Sequence, residues 1–178
     1  MRNVLMGLLL FLGACGLNGN YRDQSFEIRA VSQLDAGRYA GLWYEIARFP
    51  NSFEKDCFGV TAEYAAKPDG DLAVRNTCRK GGVDGPERVV EGTGRFVDAG
   101  KLKVRFSDII RIEGDYWVLY VVPDYSIAVV GEPAGDFGWI LARTPELTRA
   151  QLDVPLAVLR NNGYDTARLE YPAQRRVE

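Results

Sequence analysis

The chain has 178 residues, one domain's worth, and 47% of them are hydrophobic, enough to fill one core and line a modest cavity. With 22 Lys+Arg against 24 Asp+Glu the formal charge is -2, so no large positive field exists to hold nucleic acid or to drive adsorption to an anionic surface. The absence of His removes the usual general base near neutral pH, the Ser-His and Cys-His nucleophile pairs and the commonest zinc or haem-iron ligand, so neither a metal nor another cofactor is expected.

The first 14 residues have the form of a signal peptide: a short start carrying Arg2, then an apolar run over 4–12 that is too short to cross a bilayer stably. The run closes on Leu12-Gly13-Ala14-Cys15, which resembles the bacterial lipobox. That resemblance implies cleavage before Cys15, a diacylglyceryl thioether on its sulfur and a further acyl chain, of the palmitate type, on the freed amine. Each buried CH2 contributes roughly 0.8 kcal/mol, so several chains give stable attachment where one would be marginal. An ordinary secretory signal that happens to contain a cysteine is the competing reading. Gly16 stands where an inner-membrane retention signal would more often place Asp, which favours the outer membrane. Residues 15–33 then read as a lipidated N-terminus and polar tether, 34–174 as the folded domain and 175–178 as a tail.

From Leu42 onward, short β-rich runs alternate with turn clusters. The runs cover 42–49, 57–65, 72–78, 88–97, 102–106, 116–122, 126–130 and 137–143. Between them lie clusters such as Lys67-Pro68-Asp69-Gly70-Asp71 and Asp98-Ala99-Gly100, where Gly and Asp tolerate positive φ and Pro blocks continuation of a ladder. Connections this short cannot carry parallel crossovers, so eight antiparallel up-and-down strands are expected. That number closes into a barrel that can hold one small ligand, and closure removes exposed edges. The period then changes. Leu152, Leu156 and Leu159 share one face of a helix over about 148–162, with Gly163 placed to end it. Pro155 predicts either a kink or a later start with Asp153 near the cap, and 168–171 reads as a last extended piece.

Gly41-Leu42-Trp43-Tyr44-Glu45-Ile46-Ala47-Arg48 resembles the first signature of the lipocalin family, Gly-x-Trp on the first strand. Pro123-Asp124-Tyr125 is similar to the second signature and Trp139-Ile140-Leu141-Ala142-Arg143-Thr144-Pro145 to the third, in the family's order and at its distances. The pattern is most similar to the bacterial lipoprotein branch, grouped with apolipoprotein D. The resemblance implies an all-β calyx with one C-terminal helix, Trp43 plugging the closed end and Arg143 lying across its indole, a cation-π contact of about 0.5–2 kcal/mol. Gly41, Trp43, Asp124, Tyr125 and Arg143 are thus structural signature residues. No residue is assigned a catalytic role.

Cys57 and Cys78 remain as an even pair in an exported chain, where disulfides persist. Their midpoint, 67.5, falls in the turn over 67–71, which puts them on facing strands of one hairpin. The alternative is a reactive thiol at Cys78, beside Arg79 and Lys80, as in the lipocalin-type prostaglandin synthase. Strand alternation nominates Tyr64, Val74, Asn76, Phe96, Phe106 and Trp139 as ligand-lining, with Glu45 on Trp43's face and Gly92 and Gly94 leaving volume open. Whether such residues line a cavity or fill a solid core is not decided by parity. The sixth strand, apolar on both faces, has no register legible from its pattern. Three functions follow. The leading one is non-catalytic binding, storage or transport of a fatty acid or lysophospholipid at the bacterial outer membrane, with the barrel in the periplasm, in envelope stress or maintenance. The others are a cysteine-dependent lipid-modifying enzyme or isomerase, and a structural envelope lipoprotein with a filled barrel. A homodimer is compatible with any of them.

Overall fold

The structure is a computed structural model describing residues 20–106 and 113–175. Cys15 and the first 14 residues, read above as a signal peptide, lie outside the described residues. Eight strands occupy Gly41–Arg48 (β1), Cys57–Ala66 (β2), Leu72–Lys80 (β3), Glu87–Asp98 (β4), Lys101–Phe106 (β5), Gly114–Val121 (β6), Ile127–Gly131 (β7) and Gly138–Ala142 (β8). They close into a barrel in sequence order, every neighbouring pair antiparallel, with β8 returning to β1. Both ends of each of the eight strands fall within two residues of the sequence expectation, because Gly, Asp and Pro mark strand ends by a backbone mechanism.

Antiparallel order fixes two ends. The connections after β1, β3 and β7 surround one end, the mouth; those after β2, β4 and β6 surround the other, the floor. A short helix, α1 (Ala36–Tyr39), capped by the Asp35 carboxylate, precedes β1 at the floor and delivers Tyr39 into it.

Two apolar clusters divide the barrel wall. The interior one joins Tyr39, Trp43, Leu72, Leu102, Val118 and Val130. The exterior one joins Phe49, Leu119, Ile127, Val129, Ile140 and Tyr164 with Leu159 of the second helix, α2 (Arg149–Asn161). β6 serves both: Tyr116, Val118 and Val121 belong to the interior, while Trp117, Leu119 and Tyr120 join the exterior, the parity slipping at an irregularity between Val118 and Tyr120. A strand buried on both faces shows no alternation, which is why its pattern gives no register.

α2 begins at Thr148, whose hydroxyl accepts from the Gln151 N–H while the Gln151 side chain accepts from the Thr148 N–H. This capping box sets the start before Pro155 and excludes the later start at Asp153. The helix runs through Pro155, which is buried, and ends at Gly163, φ +87°. The extended piece expected over 168–171 is reduced to one bridge, Arg48 with Glu170, after a 3-10 turn over Thr166–Arg168.

The polar segment read as a free tether is, from residue 20 onward, part of the fold. Tyr21 is buried, its N–H donating to Gly135 O at 2.7 Å and its hydroxyl to Pro50 O at 2.7 Å. Arg22 is 6% exposed, and its guanidinium donates to the carbonyls of Asn162, Pro133 and Phe26. Asp23 N–H donates to Gly163 O and Val31 N–H to Val118 O, so the segment runs down the outer wall from mouth to floor. Its polarity misleads because backbone carbonyls of the surrounding loops satisfy the buried Arg22, which the residue pattern does not show.

A packed floor and a polar mouth in one barrel

The floor is closed by an aromatic and guanidinium stack. Trp43 is fully buried and its Nε1–H donates to Tyr39 O at 2.8 Å. The Arg143 guanidinium lies 3.7 Å from the Trp43 ring and donates to Leu42 O (2.7 Å), Arg38 O and Ala40 O (both 2.8 Å). A planar fork can serve several carbonyls and an aromatic face at once; an ammonium cannot. Gly41 has φ +94°, and a Cβ there would stand 3.3 Å from Arg143 Nη1, which accounts for Gly two residues before the Trp. Asp124 caps the β6–β7 turn by accepting from Ser126 N–H, and the Tyr125 hydroxyl accepts from Asp35 N–H beneath the Arg38 guanidinium.

Above the floor the interior carries a chain of phenols. The Tyr116 hydroxyl is 2.7 Å from that of Tyr39 and 2.8 Å from that of Tyr64, and burial pushes all three above the ordinary tyrosine value. The Tyr64 hydroxyl is therefore already engaged.

Nearer the mouth lies an ionisable cluster of which strand alternation shows only Glu45. Arg48 Nη1 donates to Glu45 Oε1 at 3.0 Å, both side chains almost fully buried, and Trp139 Nε1–H donates to Glu54 Oε2 at 3.2 Å. Burial raises Glu45 well above the usual carboxylate range; the charge of Glu54 and a hydrogen bond to it act the same way, with Arg48 opposing.

Of the six nominated lining residues, Tyr64 and Val74 are buried, while Asn76, Phe96, Phe106 and Trp139 keep part of their surface accessible. All six pack with or beside the interior set: Asn76 pairs with Ala62, and Phe96 with Leu102 near the floor. Asn76 Oδ1 is buried and, among the described residues, has no hydrogen-bond partner. The volume expected at Gly92 and Gly94 is taken by neighbours. A Cβ at Gly92 would stand 2.5 Å from Arg105 O and 2.9 Å from Phe106 Cδ1, and one at Gly94 would meet Leu102 Cδ2 at 3.2 Å. Gly92 lets the β5 backbone and the Phe106 ring approach, and Gly94 makes room for the Leu102 side chain.

Arg48 escaped the parity argument because the β1–β8 register shifts between Glu45 and Ala47; a bulge turns Glu45 and Arg48, three apart, to the same side. Glu54 comes from the β1–β2 connection, where no alternation exists to read. Cys57 and Cys78 form a disulfide, Cα–Cα 5.4 Å, at the mouth end of the β2–β3 hairpin. The hairpin pairs Cys57 with Lys80, not Cys78, so the bond is diagonal, after a second irregularity between Phe58 and Thr61. With both sulfurs bonded, the thiol that the enzyme reading requires is not free.

A model of the lipocalin-like domain matches residues 34–174. The chain is a lipocalin. It is 36% identical over 158 residues to Temperature-induced lipocalin-1 of Arabidopsis thaliana, covering 83% of each chain. It is also 36% identical over 155 residues to Outer membrane lipoprotein Blc of Vibrio cholerae, covering 83% of this chain and 86% of that one. Among solved structures, insecticyanin from the tobacco hornworm Manduca sexta superposes with a TM-score of 0.66 at 20% identity, covering 84% of this chain and 85% of its own. Binding and transport is the common work of this family, neither relative above carries an enzyme's name, and the Cys57–Cys78 bond leaves no free thiol for the synthase-like alternative.

Proposed function

We propose that this lipocalin binds a single-chain lipid, of the fatty acid or lysophospholipid class, in the upper half of its barrel and carries or stores it at the bacterial outer membrane. The observation that carries this reading is a gradient of accessibility along the interior. Trp43, Tyr39, Leu72 and Val118 at the floor are fully buried, while Ala62, Asn76, Val90, Phe106 and Trp139 above them remain partly accessible. An apolar wall with a few converging polar groups suits a hydrocarbon tail with one polar end. Tyr64, Val74, Asn76, Phe106 and Trp139 form the lining in this proposal, Phe96 lies lower, beside Leu102 where the tail would end, and Trp43 and Arg143 form the floor. Cys15 is the acylated anchor, motivated by its lipobox and by the name of the Vibrio relative.

Delipidated mature protein mixed with palmitate or lysophosphatidylethanolamine and examined by native mass spectrometry is expected to retain one lipid per barrel. Ala62 faces Asn76 across the β2–β3 pair and is partly accessible, so Ala62→Trp should occupy the lumen and abolish that adduct while thermal unfolding stays cooperative. Retention of neither lipid by the unaltered protein would remove this reading in favour of a filled barrel.

A further inference from the structure

The docked N-terminal segment carries information about orientation. Tyr21 is held between the β7–β8 connection, through Gly135 O, and the β1–β2 connection, through Pro50 O; its ring stacks on Phe49 at 4.8 Å, with the Arg168 guanidinium 4.2 Å above. Both connections belong to the mouth. Gly135, φ +82°, lets the two backbones meet: a Cβ there would stand 2.3 Å from Arg22 Cβ. Docking is directional: the buried Arg22 guanidinium donates to Asn162 O and Pro133 O on other parts of the fold and to Phe26 O in its own segment.

Only residues 16–20 separate Cys15 from Tyr21. Fully extended, the six steps span about 20 Å. The longest strand, β4, has 12 residues, which at a typical barrel tilt places mouth and floor about 30 Å apart. A chain leaving the mouth rim cannot reach back past the floor. The rim also presents Phe53, 36% exposed and packed on Phe137 with ring centroids 5.3 Å apart. The floor turns present exposed Asp69, Asp98 and Asp124 and the mouth connections exposed Lys55, Asp56 and Asp136, so charge does not distinguish the two ends and the length of the tether carries the orientation.

We propose that residues 20–23 are an orienting strap that holds the open end of the barrel against the lipid bilayer, with Phe53 and Phe137 at the contact. This rests on the anchor at Cys15. Lipid would then enter the mouth directly from the leaflet, and the closed floor would face water.

The test is made independent of cellular acylation. The mature chain, its other two cysteines bonded, is coupled through Cys15 to a maleimide-headgroup phospholipid in phosphatidylcholine vesicles. A fluorophore is placed through an azido side chain at position 53 or at position 69, and doxyl lipids serve as quencher. Quenching should be several-fold stronger at 53 than at 69. Insertion of about 15 Gly/Ser residues between Leu17 and Asn18 lengthens the reach beyond the barrel height and should bring the two toward equality. Equal quenching in the unextended chain would overturn the proposal, as would a preference for position 53 that the insertion leaves unchanged. The intact mass of the protein extracted from bacterial membranes tests acylation of Cys15 separately, so failure of the anchor and failure of the orientation are distinguishable.

Discussion

The two ends of the barrel solve opposite problems with the same strands. At the floor, side chains of high volume interlock around Trp43, and each polar atom of Arg143 finds a carbonyl or an aromatic face. Near the mouth, Glu45, Arg48 and Glu54 are buried among accessible apolar walls, and Cys57–Cys78 ties two strands covalently. A floor can be held by packing because nothing has to pass through it. An opening must keep volume free, so its walls are held by a covalent bond and by directional polar contacts.

That contrast can be broken from either side. The largest effect is expected at the floor: Trp43→Ala removes a fully buried ring and leaves Arg143 without its aromatic face, costing about 3–5 kcal/mol in a urea unfolding titration. An unfolding midpoint near that of the unaltered protein would show that the floor is not the stabilising end. Replacing Cys57 and Cys78 together by Ser should cost about 3 kcal/mol on the chain-entropy account. Hydrogen exchange should rise most at the mouth ends of β2 and β3 while β7 stays protected; a uniform rise would place the effect on the whole fold. Arg143→Lys keeps the charge but loses the fork, and about 1–2 kcal/mol of stability with it. Lipid binding measured on the folded fraction should be unaffected, which separates floor from lumen.

The smallest effect is a pH slope. Glu45 binds its proton more tightly in the folded chain than at the usual 4.5 of the unfolded one. The folded state therefore holds the extra proton, and stability falls as pH rises from the unfolded value through the raised folded value. Glu45→Gln should lack this decline. Parallel stability curves for the two proteins across mildly acidic to neutral pH would show that Glu45 is not the responsible group.

Much of the barrel was legible in the residue order. Turn chemistry places the ends of all eight strands, and the first and third signatures locate Gly41, Trp43 and Arg143. These features are written locally: a positive φ asks for Gly, and a half-buried strand asks for alternation. The interior near the mouth was less legible because it depends on two irregularities. The bulge in β1 brings Arg48 to the same side as Glu45, and the slip in β6 hands Tyr120 to the outside wall and Val121 to the inside. A single extra residue inverts every later assignment by parity. The packing partners of Gly92 and Gly94 likewise belong to other strands, so the sequence shows the missing side chains without showing what takes their place.

The sequence by itself determined the strand count, their antiparallel order, the family and the residues that seal the floor, since each rests on backbone preference or on a motif read within a few positions. Only the tertiary structure decided that Arg48 and Glu54 join Glu45 inside the barrel, that the two cysteines meet on a diagonal, and that a segment polar enough to pass for a tether is docked at the mouth. Those outcomes depend on partners tens of residues away in the chain, Tyr21 on Gly135 and Arg22 on Asn162 among them, and on a register that no local pattern records.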